Sequence, residues 1–140
     1  MKGLVEFITE KLRDAKNGTI IFDIKNGKVI VDDLIKGLSN AHNDLPTKDV
    51  IFACDDYEDY DEQTYFEYDG IEGEELRLNY KSRAGFVNKN LYDKLIKDLD
   101  EYDKKDITIY WDGMDNDDMQ TIVIGFDDKN DAIIIQLGKK

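Results

Sequence analysis

Two short acidic runs hold the side chains of this sequence best suited to do chemistry. Asp55-Asp56-Tyr57-Glu58-Asp59-Tyr60-Asp61 places five carboxylates and two tyrosines in seven residues. Asp112-Gly113-Met114-Asp115-Asn116-Asp117-Asp118 places four carboxylates in seven. Carboxylates this dense offer hard oxygen ligands to a divalent cation, or counter-charges to a Lys/Arg-rich surface. The spacing disfavours a metal. An EF-hand loop wants carboxylates at its first, third and fifth positions, Gly at the sixth and Glu at the twelfth. Asp112, Asp115, Asp117 and Asp118 do not follow that pattern, so only adventitious cation binding is expected, with no structural metal and no cofactor. Asp and Asn also suit turns, because their side chains bond nearby backbone. That accounts for one or two acids per run. Five mutually repelling carboxylates in the first run need another reason. Tyr57 and Tyr60, followed by Tyr65 and Tyr68, supply one: tyrosine is enriched at binding hot spots.

Catalysis fails on inventory. His42 is the only histidine and Cys54 the only cysteine. His42 sits where a helix should end, beside Asn43 and Asp44, and no nucleophile is spaced for it. Cys54 closes an apolar run and reads as a small buried hydrophobe, with no disulfide available. Ser39 and Ser82 lack any motif. Gly70-Ile71-Glu72-Gly73 is acidic and would repel a phosphate. The expectation is a protein that is not an enzyme.

The chain has 140 residues, 32 acids against 19 bases, a net charge of −13 and 41% hydrophobic residues. That is enough apolar content for one packed domain spanning 1–140. The charge disfavours nucleic acid and anionic membranes as direct partners. It is not spread evenly. From Asp49 to Leu76 there are 12 acids and no Lys or Arg; from Asp106 to Asp128 there are 7 acids and again no Lys or Arg. The remaining 13 acids face all 19 bases, so outside these windows the chain is net positive by 6. No signal-peptide pattern and no bilayer-length apolar run is read, which gives the expectation of a cytoplasmic protein.

The elements that must hold the acidic runs come from hydrophobic periodicity. Lys48–Tyr80 laid over Lys105–Leu137 without a gap gives six identities at an offset of 57, including Asp55/Asp112 and Asp61/Asp118. A segment of helical period precedes each copy: Leu34-Ile35-Lys36-Gly37-Leu38 and Leu95-Ile96-Lys97-Asp98-Leu99. This reads as a duplicated αβββ unit, about 32–80 and 88–138. The helices are expected over about 33–42, capped by Asp32 or Asp33, and about 89–101, capped by Asn88. The strands fall at about 49–54, 62–68 and 75–80, then 106–111, 119–126 and 132–137. Residues 1–31 add a helix at about 3–14 and two strands flanking Asn26-Gly27, the strongest short hairpin signal. The expected fold is α+β, in the order α-ββ-α-βββ-α-βββ, with a largely antiparallel sheet and helices on one face. Both acidic runs are then turns between the first and second strands of their units, and side-by-side packing would put them on one edge.

The pattern Leu-Ile-x-x-Leu, polar loop, Lys-Asp-Val/Ile, acidic turn resembles short phage and prophage proteins. It is carried by Leu34, Ile35, Leu38, Asp49 and Val50, and again by Leu95, Ile96, Leu99, Asp106 and Ile107. Asp118-Met119-Gln120-Thr121-Ile122 resembles a stretch of small acidic anti-CRISPR inhibitors. The resemblance implies a DNA-mimicking inhibitor that occupies a nucleic-acid groove. The functional expectation is a non-enzymatic inhibitor whose partner-binding residues are Asp55, Asp56, Tyr57, Glu58, Asp59, Tyr60, Asp61, Asp112, Asp115, Asp117 and Asp118. The partner is a basic, nucleic-acid-handling protein. Two alternatives stand beside it: an immunity protein that neutralises a basic toxin, and an assembly protein that dimerises through the edge of Ile133-Ile134-Ile135.

Overall fold

A computed structural model describes residues 20–23, 27–55, 63–111, 119–127 and 129–139. The strands are β1 (Ile20–Asp23), β2 (Lys28–Ile30), β3 (Val50–Asp55), β4 (Gln63–Glu72), β5 (Glu75–Ser82), β6 (Asp106–Trp111), β7 (Met119–Asp127) and β8 (Ala132–Lys139). Helix α1 (Val31–Asp44) lies between β2 and β3, and α2 (Tyr92–Glu101) between β5 and β6. The helix expected at 3–14 lies outside the described residues.

All eight strands join one sheet in the order β1-β7-β8-β3-β4-β5-β6-β2. The expected largely antiparallel sheet is corrected here: the sheet is mixed and curls into a half-barrel. β3 pairs parallel with β8, and β5 pairs parallel with β6. The stretch 83–105, which contains α2, carries the chain from the end of β5 back to the start of β6, as a parallel neighbour requires. The curl follows from chain length. β1 and β2 stand at opposite ends of the strand order, about 34 Å apart in a flat sheet at about 4.8 Å per strand. Only residues 24–27 join them, a reach of about 18 Å at most.

The Asn26-Gly27 hairpin is also corrected. β1 pairs with β7 and β2 with β6, not with each other. Gly27 keeps the positive φ of a turn, at 74°, and its carbonyl accepts from Ile109 N–H of β6. The flanking strands are short, and each pairs with a longer strand.

One face of β2 to β8 lines the concave core. Val50, Phe52 and Cys54 of β3 meet Phe66 and Tyr68 of β4, Leu76 and Leu78 of β5, and Ile107, Ile109 and Trp111 of β6. Leu34, Leu38 and Ala41 of α1, with Leu95 and Leu99 of α2, fill the trough. On the convex side Ile51, Ala53, Val123, Ala132 and Ile134 form a second buried cluster. β7 is therefore apolar on both faces, although it is only one strand from the edge.

The duplication holds for some strands and fails for others. Val50/Ile107, Phe52/Ile109, Leu76/Ile133 and Leu78/Ile135 share the concave face at the offset of 57. Phe66 and Val123 do not: Phe66 is concave and Val123 convex. β4 shifts register at Tyr65/Phe66 and Tyr68/Ile71, and β7 at Met119/Thr121. The units also differ in pairing. β3, β4 and β5 are neighbours, whereas β6 and β7 are not.

The expected helix caps differ as well. α1 starts at Val31 after Ile30, with no side-chain cap, and Asp32 and Asp33 stand in its first turn, where they complement the helix dipole. α2 follows Leu91, again without a side-chain cap. Gly70 does not end β4. It sits inside the strand at φ 94°, in the irregular stretch before Ile71, and the turn falls at Gly73. β8 is hydrogen-bonded on both sides, by β7 and β3. Ile133-Ile134-Ile135 is thus interior, and the edge on which a dimer was expected does not exist.

Candidate functional site

Strand directions decide where the acidic runs attach. β3, β5, β6 and β8 run the same way, because β4 is antiparallel to β3 and β5 while β6 and β8 are parallel to β5 and β3. Their C-terminal ends, Asp55, Ser82, Trp111 and Lys139, therefore lie at one end of the half-barrel. β4 and β7 begin at that end, at Gln63 and Met119. Asp55 closes β3, its backbone in register with Gln63. The other candidate residues, Asp56, Tyr57, Glu58, Asp59, Tyr60, Asp61, Asp112, Asp115, Asp117 and Asp118, lie outside the described residues. β3 and β6 are three strand spacings apart, about 14 Å across the sheet, and staggered along it: Trp111 is level with Leu78 and Tyr68, five residues short of Gln63, the partner of Asp55.

These ends are firmly held. Cys54, Trp111 and Phe66 are fully buried, and the Trp111 ring lies 6.0 Å from that of Phe66. Gln136 of β8 donates from Nε2 to Gln63 Oε1 at 3.0 Å, a buried pair that links the start of β4 to β8. Tyr80, near the end of β5, departs from the pattern. Its concave-face neighbours Leu78, Phe66 and Trp111 are buried, yet Tyr80 is 51% exposed. Sequence reasoning missed it, because it follows Leu76 and Leu78 in strict alternation and reads as core.

A second polar cluster lies where α2 meets β4. Tyr68 Oη donates to Asp98 Oδ2 at 2.8 Å, and Lys94 Nζ donates to the same oxygen at 3.0 Å. Burial, and then the bond to the Asp98 carboxylate, push the Tyr68 phenol above the usual tyrosine range. An open cleft of about 520 Å³ adjoins, lined by Gly70, Ile71, Lys94, Asp98, Glu101, Tyr102 and Asp103. Asn88 was expected to cap α2. Instead it is buried between strands: its Oδ1 accepts from Tyr68 N–H at 2.9 Å, and its Nδ2 donates to Phe66 O at 3.1 Å. Its backbone bridges Val50 in both directions. An Asn before a helix has a familiar local use, so nothing in the sequence signalled this role.

His42 occupies the last turn of α1, stacked 4.2 Å from the Tyr92 ring. Burial raises the Tyr92 phenol. On the convex face the Arg77 guanidinium lies 4.3 Å from the Tyr110 ring centre while bonding Glu75 at 2.8 Å. Among the described residues no group of three or more His, Cys, Asp or Glu is arranged to hold a metal ion. Nor, among them, is any helix long and apolar enough to cross a membrane. No family model, curated protein or solved structure matches the chain.

Proposed function

We propose that this chain is a non-enzymatic acidic binding protein that blocks a basic nucleic-acid-binding site on a partner protein, as a DNA-mimicking, phage-type anti-defence inhibitor would. One observation carries the reading. The net negative charge is confined to two windows of a chain that is otherwise net positive, and the strands flanking both windows end on the same side of the half-barrel. Carboxylates concentrated in the two runs that join these strand ends carry the kind of charge that a phosphate-binding groove receives from DNA. Steering by such a field speeds encounter and fades as salt rises.

The test is association with a partner captured from host lysate at low salt and identified by mass spectrometry. Rising salt or duplex DNA should elute a basic nucleic-acid-handling protein. Replacing Asp55, Asp56, Asp59 and Asp61 with Asn, and Glu58 with Gln, should slow association and flatten its salt dependence. Capture that is indifferent to DNA, or an amide variant that associates as fast as the wild type, would refute the reading.

A further inference from the structure

We draw no further inference here: the strongest candidate, the open cleft beside α2 and the irregular stretch of β4, where Asp98, Glu101 and Asp103 gather next to Lys94, is a cluster of acidic side chains whose buried neighbour, Tyr68, already donates its hydroxyl to Asp98, so no second observation among the described residues points to a ligand.

Discussion

Replacing Asn88 with Ala is the sharpest probe of how this fold is held. The Asn88 amide satisfies two buried backbone groups of β4, Tyr68 N–H and Phe66 C=O, at 2.9 and 3.1 Å. The site is where the segment leading into α2 closes against Val50 of β3. Truncation leaves both β4 groups without a partner in a region walled by Phe66 and Tyr68. A buried orphan costs about 1–3 kcal/mol, so the variant should lose about 2–4 kcal/mol. Against a total of about 5–15 kcal/mol for a typical domain, that is a large share. With about 2.1 cal/mol/K of unfolding entropy per residue, it corresponds to a fall of roughly 7–14 °C in Tm. The assay is urea unfolding followed by the fluorescence of Trp111, the only tryptophan and fully buried. Asn79→Ala, on the exposed side of β5, is the control and should stay within about 0.5 kcal/mol. Asn88→Asp keeps the acceptor for Tyr68 but turns the donor into an acceptor facing Phe66 O, so it should cost at least as much as Ala. An Asn88→Ala variant within about 0.5 kcal/mol of the wild type would refute the reasoning.

Three further outcomes are expected. Tyr68 is held neutral by burial and by Asp98, so its folded value lies above the unfolded one; its contribution is complete below about pH 10 and is lost as pH rises beyond that. Thermal melts from neutral to alkaline pH should therefore fall less steeply for Tyr68→Phe than for the wild type. Glu74 is held below its usual value first by the hydrogen bond from Lys104 and then by that ammonium's charge; its contribution is present at neutral pH and fades as pH falls through the lowered value. Glu74→Gln should flatten the acid limb of the same melts, and added salt should shrink the difference. Gly70→Ala places a methyl where nothing lies within 4 Å, so its cost, about 1–2 kcal/mol by chemical denaturation, should come from the backbone φ of 94° alone.

Alternation placed strands at about 49–54, 106–111 and 132–137, where β3, β6 and β8 stand, because a period of two follows directly from side chains that must reach a core. Residue type and position also marked Cys54 as core and His42 as a helix-end residue. Charge position is also a property of the sequence, so the two acidic windows were legible. Pairing was not. Asn26-Gly27 is a local signal, and it lost to the longer partners that β6 and β7 offer in space. The parallel pairs β3/β8 and β5/β6 join residues about 83 and 33 positions apart, with no short-range signature. Phe66 and Val123, matched at the offset of 57, face opposite sides of the sheet, so a duplication that looked continuous in one dimension is broken in three.

The sequence by itself determined which residues are apolar, with what period, and where the carboxylates are concentrated, since these depend only on residue type and order. Only the tertiary structure decided that β8 is interior, that Asn88 binds backbone instead of capping a helix, that Tyr80 is left uncovered, and that the strands flanking both acidic windows end on the same side. Those features depend on strand direction and on the curl of the sheet. Both are set by the sum of many distant contacts and by the short reach of residues 24–27, which no local pattern records.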